Sequence, residues 1–375
     1  MPGRSAVPPR PGLVSIVTVS QGGADEAAAH VRGLDGLNWP VERREVICVR
    51  PIGEGVTMTA GGENPGAKIV ESPADAGAAG AGNVGAAHAS GEHLALIVDA
   101  IPDPDWLVAA VEALDGDPSI ACVASTVLDP GGAVEYAGAA MTWFGEGYVP
   151  EGECADAAPV DVLYASVAAL VIRADAFADV GGYDDALGSG AALDLGWRLN
   201  LLGHRVRWVP GSRVTRAHSQ SVADSTRGAL FALYKNLDDA SVARVLAPAL
   251  ALAVRRASVD GTPAQALSAI DDLVEQLPSL TERRAAVQRR RTRSDADLAP
   301  LFGPVVAAPA GGGRYATGYT ALVEAFGVAE AYAGAVSVPA PVAAADSALE
   351  QCRDAAAERA RRITELTVAV QATEG

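Results

Sequence analysis

Aromatic side chains make up only 5% of this 375-residue chain, and lysine occurs just twice, at Lys68 and Lys235. Positive charge is scarce: 46 Asp and Glu against 29 Lys and Arg leave a formal net charge of −17. A surface of that sign repels a phosphate backbone, which excludes nucleic-acid binding as a primary role. The four cysteines, Cys48, Cys122, Cys154 and Cys352, stand far apart with no CxxC pair. Neither a disulfide framework nor a thiolate zinc site follows from them. The most apolar stretches, residues 162–172 and 245–254, reach only about half of the ~20 residues that a spanning helix needs, so no transmembrane segment is expected. The opening MPGRSAVPPRPG lacks the apolar core of a secretory signal. Residues 1–11 are expected to be a disordered tail and the chain to be cytoplasmic.

What is present is apolar: 49% of the residues are hydrophobic, with 40 Gly beside them, enough for a globular core. The length suits a main domain plus an appendage. Residues 13–19 (LVSIVTV) form a β-branched run of strand length, residues 24–34 carry helical spacing, and residues 46–49 are a second apolar run. Strand, helix, strand at this spacing predicts a βαβ unit with a parallel sheet. Further strands are expected at 68–70, 94–98, 120–125, 163–172 and 205–209, with helices at 105–114, 174–180 and 191–202. From residue 221 onward strand signals vanish, so the division expected is an α/β domain over 12–225 and a helical region over 226–375.

Three local patterns have competing readings. Gly80-Ala81-Gly82-Asn83-Val84-Gly85 imitates a dinucleotide fingerprint, but a phosphate-cradling loop leaves its strand directly, and residues 72–79 intervene here. The cluster Arg283, Arg284, Arg289, Arg290, Arg291 and Arg293 is either a helix face paired with nearby Asp and Glu or an anion site. Residues 343–372 space Leu349, Cys352, Ala356, Ile363, Leu366 and Val370 by threes and fours. That amphipathic helix either docks on its own chain or forms the seam of a homodimer or partner complex.

Four pieces read together carry a resemblance: SIVTVSQGG from Ser15, GAGNVGAAHASGEHLALIVD ending at Asp99, DPDWL from Asp103, and VGGYDDALGSGAALDLGWRLNLLGHRVRWVP from Val180. Their order and spacing resemble the family 2 glycosyltransferases over about residues 12–220. LYKNLDDASVARVL and RRRTRSDADLAPLFG resemble, more loosely, the appendage of large actinobacterial members. The resemblance implies a GT-A fold, α/β with a mostly parallel sheet, a nucleotide-sugar donor, an acceptor hydroxyl, and a divalent Mn or Mg ion on the diphosphate. In that chemistry a carboxylate base takes the acceptor proton while the metal neutralises the leaving diphosphate.

The chain departs from the family where this chemistry lives. Val49-Arg50-Pro51 stands where the family has an Asp that reads the donor base. Ile97-Val98-Asp99-Ala100 keeps one carboxylate of the metal motif, with Asp99 its middle or its last position, which leaves a weakened metal seat. Ala191-Ala192-Leu193-Asp194 replaces the Glu-Asp pair that holds the base, and Asp194 lies two residues along the helix, about 200° around it. Asp194 is thus either a displaced catalytic base or a structural carboxylate at a helix start. Gly82 replaces an Arg ahead of Asn83. The resemblance leaves Ser20, Arg50, Asn83, Asp99, Arg216 and His218 as donor-binding candidates, with Asp99 the metal ligand, and His218 either faces the cleft or is a surface imidazole. Two functions follow: a glycosyltransferase moving sugar from a nucleotide donor to an unknown acceptor, or a catalytically inactive scaffold that binds a ligand or partner.

Overall fold

In the computed structural model, which describes residues 9–20, 24–52, 66–145, 147–148, 158–216, 222–259, 263–303 and 313–332, the run LVSIVTV is the buried heart of strand β1 (Arg10–Val19). All seven of its residues are buried, Ser15 and Thr18 included, because the sheet is covered on both faces. β1 opens at Arg10, inside the stretch expected as a tail, where the Arg10 amide donates to Ser90 O and the Gly12 amide to Glu92 Oε2. Helix α1 (Ala24–Gly33), β2 (Arg44–Pro51) and β3 (Lys68–Ser72) follow, and β1, β2 and β3 pair in parallel.

Helix α2 (Gly77–Ala87) contains the whole glycine string. These glycines serve close packing: a Cβ on Gly85 would lie 2.2 Å from Val17 Cγ1 and 2.8 Å from Val49 Cγ2. Next come β4 (Gly91–Val98), the short β5 (Ala100–Pro102), α3 (Trp106–Gly116) and β6 (Ile120–Leu128). Short strands β7 (Val134–Tyr136), β8 (Ala140–Met141) and β9 (Gly147–Tyr148) lead on from there. An unexpected β10 (Val160–Val162) comes next, and the strand expected at 163–172 is the shorter β11 (Ala169–Arg173). Helices α4 (Ala174–Asp179) and α5 (Ala191–Leu201) precede β12 (Arg205–Arg216), which runs seven residues past its expected end.

The strand order β10-β12-β6-β11-β4-β1-β2-β3 is mostly parallel, with β11 antiparallel between β4 and β6. β5 pairs antiparallel with the end of β12, placing Ala100 opposite Arg216. The carboxyl ends of β1 and β4 and the end of β12 therefore converge on one rim, where open α/β sheets place their ligands.

The rest is helical: α6 (Val222–Asn236), α7 (Asp239–Val259), α8 (Pro263–Arg290), α9 (Asp295–Leu298), α10 (Gly313–Ala325) and α11 (Val328–Tyr332). One continuous apolar core runs from Val14 through Phe231 and Leu280 to Tyr332. Trp143 is stacked between Phe302 and Tyr332, at centroid distances of 4.0 and 3.9 Å. Three arginines of the cluster help to dock α8, although Arg290 stays half exposed. Arg283 meets Asp184, Arg290 meets Asp179, and Arg284 donates to the carbonyls of Tyr234 and Leu237. Residues 343–372, Cys154 and Cys352 lie outside the described residues. Gly85→Ala tests the close seat of α2: helix propensity alone gains about 1 kcal/mol, but overpacking costs about 1–3 kcal/mol. At 2.2 Å the clash wins, and a lower urea midpoint with unchanged slope is expected.

Candidate functional site

Asp99 follows the last residue of β4 with φ 46°, a left-handed conformation rare for a residue with a side chain. Its amide donates to Val19 O, so this turn ties the ends of β4 and β1 together. Ser20 continues β1 onto the same rim; its buried Oγ has no partner. Across β5, Arg216 ends β12, and its side chain is 9% exposed. Nη1 stands 3.8 Å from Glu135 Oε2, an ion-pair separation too long for a hydrogen bond, and Nε meets no acceptor.

Arg216 lines a cavity of about 380 Å³ together with Glu135, Tyr164, Ser166, Ser189, Ala192 and Leu193. Ala192 gives this wall a methyl group, at the position where the resemblance expects a carboxylate. Burial pushes the Tyr164 phenol up to about 12, which keeps it neutral and able to donate a hydrogen bond. Glu135, Tyr164, Ser166 and Ser189 carried no sequence signal; they meet only because β7, the 163–168 connection and the start of α5 close on the end of β12.

The other candidates have structural partners. Arg50 bonds Glu71 across β2 and β3 at 3.0 Å. The Asn83 amide donates to Tyr183 O and accepts from Tyr183 N, both at 2.9 Å, latching α2 to the loop that precedes α5. That loop needs its glycines: Gly181 and Gly182 have φ 81° and 71°, and a Cβ on Gly182 would meet Asn83 Oδ1 at 2.6 Å. His218 lies outside the described residues.

Asp194 is fully buried. It accepts from Arg198 Nε at 2.7 Å, Lys235 Nζ at 3.0 Å and Asn236 Nδ2 at 3.0 Å. Arg198 reaches on to the carbonyls of Val180 and Gly182, and Lys235 to Asp184 at 2.6 Å. Burial alone would raise the Asp194 pKa, but Arg198 and Lys235 outweigh it and hold the carboxyl below the usual range. Lys235, one of only two lysines, is the functional partner that the sequence did not connect to the DLGWRL motif.

The described residues on this rim do not make a seat for a divalent cation. Among the described residues no three His, Cys, Asp or Glu side chains group as metal ligands. Mg²⁺ and Mn²⁺ demand several oxygens in near-octahedral array, whereas the residue after Asp99 is paired across strands with a buried guanidinium.

The element order, the rim and the motifs define a glycosyltransferase-like chain of the GT-A kind. Its sequence is 32% identical over 173 residues to the pre-mycofactocin glycosyltransferase of Mycobacterium tuberculosis, a match covering 42% of this chain and 33% of that protein. The chain thus spans about a third of the length of the curated relatives it matches. No family model matches. Among solved structures, Staphylococcus aureus TarS 1–349 with UDP-GlcNAc is similar at TM-score 0.49 and 14% identity, covering 87% of this chain and 93% of that one. GalNAc-T7 with UDP, GalNAc and Mn²⁺ gives 0.49 and 17%, covering 64% and 51%. The mannosyltransferase of Pyrobaculum calidifontis with GDP-Man and Mn²⁺ gives 0.42 and 15%, covering 87% and 90%.

Replacing Asp194 by Asn leaves Arg198 buried without a counter-charge and Lys235 with Asp184 alone, which is expected to cost about 3–5 kcal/mol. Because the folded-state pKa lies below the unfolded value near 3.8, this stability is complete above that pH and lost as pH falls toward the lowered value. Melting temperatures of the wild type should therefore drop at the acid end, and those of Asp194→Asn, already low at pH 7, should drop less.

Proposed function

We propose that this chain binds the diphosphate end of a nucleotide sugar at the rim formed by Asp99, Ser20 and Arg216, and acts as a binding scaffold rather than an efficient transferase. The observation that carries this reading is the fate of the α5 carboxylate: Asp194 is buried in a salt-bridge network, and Ala192 faces the cavity in place of a base. Loss of a positioned base costs about 10²–10⁴ in rate. Among the described residues a cation here would have the Asp99 carboxylate and the arginine-paired Glu135, so metal assistance is weak. Asn83, Arg50 and Asp194 are assigned to the scaffold, and the acceptor stays open. A second reading, slow transfer supported by the fixed charge of Arg216, is favoured by the burial of that guanidinium beside the cavity.

Nucleotide sugars built on UDP, GDP and dTDP are the test ligands. One of them at about 100 times its dissociation constant should stabilise the fold by about 2.7 kcal/mol, read as a rise in melting temperature. Wild-type protein should release no nucleoside diphosphate beyond background, while Ala192→Asp, which returns a carboxylate to the cavity wall, should release it measurably. Rapid release by the wild type would overturn the scaffold reading.

A further inference from the structure

We propose that Arg216, and not a divalent metal, is the positive charge of this cleft, so that the cavity takes a diphosphate group without metal. The inference rests on the nucleotide-sugar reading above and specifies how that ligand's charge is met. Pairing of β5 with β12 sets Arg216 opposite Ala100, so a buried arginine lies across the strand pair from the neighbour of Asp99, the position where the resemblance puts the metal. A doubly charged cation placed there meets a fixed like charge, which Asp99 alone does not offset.

The guanidinium is poised rather than consumed. Its Nε is buried with no acceptor, and Glu135 is 3.8 Å from Nη1. Arginine offers five N–H donors in a planar fork matched to phosphate oxygens. Its other neighbours are suited to an anion as well: Ser166, Ser189 and a neutral Tyr164 supply hydroxyls, and Ala192 contributes no competing carboxylate. Glu135 is the counter-charge that an incoming diphosphate displaces.

Calorimetric titration of the full chain with inorganic pyrophosphate and with UDP, in EDTA and in Mn²⁺, tests this. Binding of both probes is expected in EDTA, with affinities changed less than threefold by Mn²⁺. Arg216→Gln should weaken both at least tenfold and Arg216→Lys, which keeps the charge but not the fork, by less. Glu135→Gln provides the second arm, independent of whether Arg216→Gln folds: release of the guanidinium should tighten pyrophosphate binding severalfold, whereas loss of a metal-supporting carboxylate would weaken it. UDP binding that requires Mn²⁺ and vanishes in Asp99→Asn would overturn the metal-free assignment and leave the nucleotide reading standing. Failure of all nucleotides and pyrophosphate to bind under either condition would overturn both.

Discussion

A single buried carboxylate organises this molecule. Asp194 is enclosed in the core and survives there only because Arg198, Lys235 and Asn236 surround it with charge and hydrogen bonds. Through Arg198 it holds the Gly181–Gly182 turn, and through Lys235 it reaches Asp184, which also takes Arg283 of α8. The α/β part and the helices are thereby one packed body rather than a domain with a loosely tethered appendage. The apolar core that runs unbroken from Val14 to Tyr332 has the same consequence.

That network shapes the cavity indirectly. The loop carrying Ser189, and the first turn of α5 carrying Ala192, are fixed from behind by Asn83, Arg198 and Lys235. Motif residues that catalogue as a glycosyltransferase signature, GGYDDAL and DLGWRL, thus act here mainly as joinery, with Trp197 and Arg198 both buried. The cleft face of the same elements is left with small and hydroxylated side chains and one guanidinium. A protein can keep a scaffold under strong packing constraint while its reactive face changes, because the two sets of side chains point opposite ways from the same helix.

Sequence periodicity located β1, β2, β4 and β6 and helices α3 to α5 to within a few residues, since long buried strands and amphipathic helices announce themselves. It missed α2, whose four glycines offset the helical propensity of its alanines and which has no apolar stripe; close packing against Val17 and Val49 rewards the absence of side chains. It also started β11 six residues early and left out β10, because an apolar run does not show where within it the chain joins the sheet. The short strands β7 to β9 are too brief to carry a period.

What the sequence by itself determined is the class of fold and that positions 191 and 192 carry alanine, both written in local pattern. The tertiary structure alone decided what the surviving charges do. Asp194 meets Lys235 and Asn236 from α6, forty-one and forty-two residues away, and Arg216 comes beside Asp99 only through the pairing of β5 with β12. Ionisable groups have short-range roles set by burial and by partners within a few ångströms, and neighbours of that kind are fixed by packing between elements distant in the chain.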